Sequence, residues 1–179
     1  MKKIFFLLSI ILISCSKSIS VEGDIEKVVN CVAFELNHNF YKNLPLLDTL
    51  SKITISTSDS SFSPHSGNIK IKRLMDYKIN NKKIFNSQDS LFFLKQNDRI
   101  KEYHLTNKKY GNLLTVNSSK YPTSKLYFMT IPIFSCNRKY AYVISTLSIP
   151  KISGSADSYL LEKINGKWKI IKIEEVWIS

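Results

Sequence analysis

Three histidines, His38, His65 and His104, are the natural acid/base groups of this chain at neutral pH. One of them shares a helical stripe with two further ligand types: Cys31, Glu35 and His38 stand at i, i+4 and i+7, offering sulfur, oxygen and nitrogen to a zinc ion. The set lacks HExxH or CxxC spacing, and such a stripe is more commonly a partly solvated helix flank, so no metal or other cofactor is expected. Nucleophile and phosphate motifs are absent. There is no G-x-S-x-G, no P-loop and no G-x-G-x-x-G, and five glycines leave little for cradling phosphate. Glu174 and Glu175 are neighbours on a predicted strand, so they point to opposite faces and cannot flank one scissile bond together. Enzymatic chemistry is therefore disfavoured, and no catalytic residue is assigned.

The aromatic residues invite a binding role instead. Tyr127, Tyr140, Tyr142, Tyr159, Trp168 and Trp177 fall within one predicted sheet, and an aromatic sheet face can stack sugars or nucleobases. The more ordinary reading places most of them in the core beneath a helix, with Trp177 as the exception. A charge of +12 attracts anionic partners. Only Arg73, Arg99 and Arg138 are arginines, however, and the lysines are spread along the chain without the forks that phosphate and base readout favour. Anionic lipid headgroups or acidic glycans are other partners such a charge would attract, but such a balance is more commonly a solvated basic surface; no nucleic acid is expected, and an anionic envelope polymer or an acidic protein is left open. Asn117-Ser118-Ser119 matches a glycosylation acceptor and is given no weight.

These side chains need elements to position them. From Asp24 the apolar residues Ile25, Val28, Val29, Val32, Leu36 and Phe40 recur every three or four positions, which predicts a helix capped by Gly23 or Asp24 and ended by Asn43 to Pro45. Lys52 to Thr57 reads as a short strand, Ser58 to Asn68 as a loop, and Ile69 to Ile79 as a second strand. Asn86-Ser87-Gln88-Asp89 looks like a cap ahead of a short helix carrying Leu91 to Leu94. Residues 98 to 112 are ambiguous, and Leu113 to Val116 is a strand.

Beyond Lys125 the pattern is β: Leu126 to Phe134, Tyr140 to Leu147 and Ser158 to Ile164, then the segment after Asn165-Gly166, form an antiparallel meander. Asn-Gly demands a two-residue type I′ turn. That turn sets Ile164 opposite Lys167, Lys163 opposite Trp168, Glu162 opposite Lys169, Leu161 opposite Ile170 and Tyr159 opposite Lys172, with a bulge or bend over residues 172 to 175 where the phase shifts. The fold class is α+β: an N-terminal amphipathic helix packed on the concave face of an antiparallel sheet, with cystatin-like or NTF2-like cones as analogies.

Ahead of this domain, Met1-Lys2-Lys3 is followed by ten residues, Ile4 to Ile13, of which only Ser9 is not strongly apolar. As a helix they rise about 15 Å, too little to cross a bilayer, so they read as a targeting signal. Leu12-Ile13-Ser14-Cys15 resembles a lipobox. The resemblance implies a signal peptide over residues 1 to 14, cleavage before Cys15, a diacylglycerol thioether on its sulfur and a further acyl chain on its amino group, palmitate-like chains together holding the protein on a membrane. Residues 15 to 23 then form a lipidated tether and 24 to 179 a single domain. Ser16 favours the outer membrane; the leaflet is left open. Cys31 and Cys136 remain as a candidate disulfide in an oxidising compartment, worth about 4 to 5 kcal/mol for a loop of about 100 residues. The alternative is two separate small apolar side chains.

The tail, from Ile133-Phe134-Ser135 through Lys139-Tyr140-Ala141 and Tyr159-Leu160-Leu161-Glu162-Lys163 to Asn165-Gly166-Lys167-Trp168-Lys169-Ile170 and Val176-Trp177-Ile178-Ser179, resembles small envelope lipoproteins of Bacteroidota type. Such relatives often have a Gly-rich loop where this chain has Leu147 to Ser155 with only Gly154, and the resemblance implies no catalytic residue. The sequence thus reads as a lipid-anchored cell-envelope protein acting as a binding or structural module. The alternatives are a small hydrolase or isomerase using a helix-sheet cavity with a histidine as base, and an inhibitor or immunity-type protein that binds an acidic partner.

Overall fold

A computed structural model describes residues 21–39, 43–57, 68–117, 125–149 and 153–178. Residues 58–67 of the expected Ser-rich loop, with His65, and the Cys15 segment lie outside the described residues, while Asn68 opens a strand. Three helices are present among the described residues: α1 (Val21–Asn39), α2 (Ile71–Met75) and α3 (Ser87–Arg99). The strands in chain order are β1 (Leu46–Leu47), β2 (Thr49–Ser51), β3 (Thr54–Ser56), β4 (Asn68–Lys70), β5 (Lys78–Ile79), β6 (Lys82–Lys83), β7 (Glu102–His104), β8 (Lys109–Tyr110), β9 (Leu113–Val116), β10 (Leu126–Met129), β11 (Ile133–Phe134), β12 (Tyr140–Ile149), β13 (Ser153–Ile164) and β14 (Lys167–Ile178).

The fold is α+β, built on one large sheet in the order β14-β13-β12-β10-β1-β9-β8, with β11 also paired to β12. The meander accounts for β12, β13 and β14; farther along, β1 runs parallel to both β10 and β9, so the sheet is mixed. Both faces are covered. On one, Ile25, Val28, Val29, Val32 and Leu36 of α1 pack with Tyr127, Val143, Tyr159, Leu161 and Trp168. On the other, Leu74 of α2 and Phe93 of α3 pack with Ile53, Ile69, Tyr142, Ile144 and Leu160. Burial on both faces explains why Ala141 to Ile144 is a continuous apolar run with no polar alternation. The sequence pointed to a helix on one face; the second helical layer is a correction.

α1 already includes Val21, three residues before the expected Asp24, so Asp24 lies inside the helix and does not cap it. Its carboxylate is instead buried, with Lys163 Nζ donating to Oδ1 at 2.8 Å and Oδ2 at 3.0 Å and the Trp168 indole N–H donating at 3.3 Å. The Asn86 cap is a full capping box: its side chain accepts from the backbone N–H of Gln88 and Asp89, while Asp89 accepts from Asn86 N–H. α3 then runs for 13 residues, longer than expected.

Ile69 to Ile79 is not one strand. After β4 the chain turns through α2, which buries Leu74 and half-buries Ile71 and Met75, the i, i+3, i+4 set of a helical turn that alternation alone disguised. The expected strand from Leu126 to Phe134 is likewise broken into β10 and β11 around Pro132, which has no N–H for a ladder.

The Asn165-Gly166 turn takes φ of 50° and 77°, and the first four pairs of the β13-β14 register fall as the two-residue loop dictates. The ladder then shifts: Leu161 pairs Ile170 but Leu160 pairs Lys172, leaving Ile171 as an extra residue. Tyr159 consequently meets Ile173 and not Lys172. A second shift, between Ala156 and Asp157, sets Val176 apart. The two irregularities flank the expected interval of 172 to 175.

Candidate functional site

The bulge at Ile171 makes the site. In an unbroken strand, Lys172 and Glu174 would follow Trp168 and Ile170 onto the α1 face; one extra residue inverts them onto the opposite face, opposite Leu160 and Ser158. There they meet α2. Because α2 turns Leu74 inward, Lys72 and Arg73 project outward beside Lys70 and Lys78.

Five cations, Lys70, Lys72, Arg73, Lys78 and Lys172, thus line an open cleft of about 600 Å³ with Asp76, Tyr77 and Glu174. Its centre is the half-buried Glu174 carboxylate, which accepts a hydrogen bond from Tyr77 Oη at 2.7 Å, a longer one from Arg73 Nη2 at 3.4 Å, and pairs with Lys172. Burial alone would raise its pKa; the hydrogen bonds from Lys172 and Tyr77 and the Lys172 charge outweigh burial and hold it below the usual carboxylate range. Tyr77, buried and beside Tyr142 and Glu174, is pushed far above the ordinary phenol range, so it stays a neutral donor. The Lys172 ammonium also sits 5.2 Å above the Tyr77 ring. Glu174 therefore ties Arg73 and Lys172 to the wall of the cleft, an arrangement suited to an anionic ligand.

The opposite face carries a second groove of about 730 Å³ between α1 and the β13-β14 turn, where Phe34, Tyr110 and Trp168 meet Cys31. Cys31 Sγ lies 3.5 Å from the Trp168 carbonyl, and burial pushes its thiol up, away from reactivity.

The sequence candidates do not gather. His38 is exposed, its Nδ1 3.1 Å from the Phe34 carbonyl and its ring stacked on Phe34 at 4.3 Å. His104 is exposed near Thr49 and Glu102. Neither lines a cleft described here, and among the described residues no three His, Cys, Asp or Glu converge on a metal position. Cys31 and Cys136 are both free thiols, so the candidate disulfide is not formed: Cys31 rests on the α1 face, whereas the turn bearing Cys136 is held by Asp89 of α3, whose Oδ1 accepts from Cys136 N–H at 2.7 Å. Glu174 and Glu175 do point apart. The aromatics divide between the two cores: Tyr127, Tyr159 and Trp168 under α1, Tyr142 on the far side with Tyr140 and the half-buried Trp177 against it.

Sequence reasoning missed the cleft. Its halves are about a hundred positions apart, and only the phase shift in β14 hinted at the face that Glu174 takes. The β13-β14 ladder also holds a like-charge pair, Asp157 directly opposite Glu175. Burial, then the Glu175 charge, raises the Asp157 pKa above its ordinary value. Such a group costs stability once pH has risen past its unfolded value, and nothing where both states are protonated. Asp157→Asn should therefore stabilise the fold at pH 7 by about 0.5 kcal/mol, with the gain vanishing near pH 3 in urea titrations.

Fold and cleft together define a class: an α+β domain with a two-faced mixed sheet and a basic cleft at its rim. Comparison with protein families, with curated proteins and with solved structures finds no match to place it further.

Proposed function

We propose that this is a cell-envelope lipoprotein, acylated at Cys15 and carried on the outer membrane, whose α+β domain is a binding module that holds an anionic envelope polymer in the basic cleft. The observation that carries the reading is the convergence of five cations against two acids, with Arg73 and Lys172 pre-positioned by Glu174 and Tyr77. Filled apolar cores on both faces of the sheet, and the positions of His38 and His104 outside the clefts, favour binding over a hydrolase or isomerase. Binding to such a ligand is electrostatic and therefore falls with salt.

Two measurements test it. Mass spectrometry of the native amino terminus should find an acylated Cys15; an unmodified terminus elsewhere defeats the anchor. Retention of the full chain on immobilised alginate should weaken about tenfold in Arg73→Gln/Lys172→Gln, and in wild type with added salt, with the melting temperature little changed. Equal retention of variant and wild type defeats the cleft.

A further inference from the structure

Val21 lies beside an unusual concentration of arginine. It is the first described residue of α1 and stands six residues after Cys15, a reach of about 20 Å even fully extended. If Cys15 bears the anchor, the surface around Val21 is held against the bilayer. Two of the three arginines in the chain are there. Arg99 and Arg138, with Lys95, rim a slot of about 230 Å³ walled by Val21, Phe92 and Phe134.

The slot is a built feature. Gln96, itself buried, donates to the Pro132 carbonyl at 3.0 Å and accepts from Phe134 N–H at 3.2 Å, which locks the C-terminal half of α3, bearing Lys95 and Arg99, onto β11. Arg138 is carried by the turn after β11. Its N–H donates to the Ser135 carbonyl at 2.8 Å, and the buried Asp89 that completes the α3 cap also accepts from Cys136 N–H. Both guanidinium groups thus stand on rigid elements at one mouth, over an apolar wall. Planar guanidinium forks match phosphate oxygens, and an apolar wall matches the glycerol and first methylenes of a lipid.

We propose that this slot docks the domain onto anionic phospholipid of the bilayer that carries the anchor, a headgroup phosphate bridging Arg99 and Arg138 with Lys95 beside it. The inference rests on the lipoprotein reading. It sets which end of the domain faces the membrane.

The turn supplies its own reporter. Cys136 is exposed two residues from Arg138, whereas Cys31 is half-buried. The acylated full chain carrying Cys31→Ser leaves Cys136 as the thiol open to a water-soluble maleimide. Added to preformed vesicles, it should label about fivefold more slowly on phosphatidylcholine containing about 30% phosphatidylglycerol than on phosphatidylcholine alone, and about 0.5 M salt should remove the difference. Arg99→Gln/Arg138→Gln should label at the fast rate on both, while Lys52→Gln/Lys82→Gln, which removes the same charge elsewhere, should keep the slowing. Equal rates on the two vesicles, with the protein floating on both, overturn the docking site and leave the anchor standing. Loss of slowing in both double variants reduces the effect to general charge and overturns the site. Slowing on neutral vesicles by about 10 mM inorganic phosphate would assign the slot to a soluble anion and overturn membrane docking. A chain that fails to float with neutral vesicles defeats the anchor and the inference together.

Discussion

Gly111→Ala should destabilise the fold by about 3 to 5 kcal/mol, the largest effect of any single methyl group in the described residues. Gly111 lies in the β8-β9 turn with φ of 51°, a left-handed conformation that a side chain strains. Space is the larger obstacle. A Cβ there would land on the backbone of Ala33 and Phe34, because the turn abuts α1 with only hydrogen atoms between. The Gly111 N–H also donates to Asn30 Oδ1 at 2.9 Å, so the turn cannot lift away without losing that bond. Neither neighbour is a flexible side-chain end able to swing aside. Urea denaturation of Gly111→Ala beside Gly166→Ala separates strain from collision, since Gly166 has φ of 77° but nothing within 4 Å of an added Cβ. The Gly111 variant should lose several times more; equal losses would show that the close approach to α1 contributes nothing.

The second large effect is at Asp24. Its side chain is 2% exposed and accepts two bonds from Lys163 and one from the Trp168 indole, tying the first turn of α1 to the tip of the last hairpin. Asp24→Ala leaves an ammonium and an indole N–H without their acceptor, and removing one partner of a buried pair costs about 3 kcal/mol. Lys163 retains 22% exposure and can turn partly to water, which keeps the loss at that end of the range. Replacing both partners, Asp24→Leu with Lys163→Met, should recover much of the stability, because no unpaired charge remains. Thermal unfolding of the single and double variants checks the pair. A double variant no better than Asp24→Ala would show that the contact supports α1 by shape and not by charge.

Legibility in the sequence followed locality. The Asn165-Gly166 turn, the Asn86 cap and the 3.6-residue period of α1 are each written within a dozen residues, and each formed as its chemistry dictates. Errors arose where tertiary burial overrides local pattern. Ile69 to Ile79 alternates like a strand, yet Leu74 enters the core only through a helical turn. Asp24 has the chemistry of a cap but was taken by a lysine 139 positions away. The aromatic residues of β10, β12, β13 and β14 looked like one core under one helix; the even distribution of apolar residues over both faces of β12 was the sign of a second layer. The basic cleft was invisible for a further reason. A single inserted residue at Ile171 determines which face receives Lys172 and Glu174, and one-residue register shifts leave almost no trace in composition.

That extra residue has one more consequence. β14 is 12 residues long and lies at the rim of the large sheet, the kind of border that recruits a foreign strand and seeds aggregates. Two interruptions of its ladder, at Ile171 and Val176, bend the border away from the flat geometry a second chain would need, and Lys167, Lys169 and Lys172 make the approach repulsive between copies. The irregularity that aims a carboxylate into the cleft also makes this rim a poor template for a second copy of the chain.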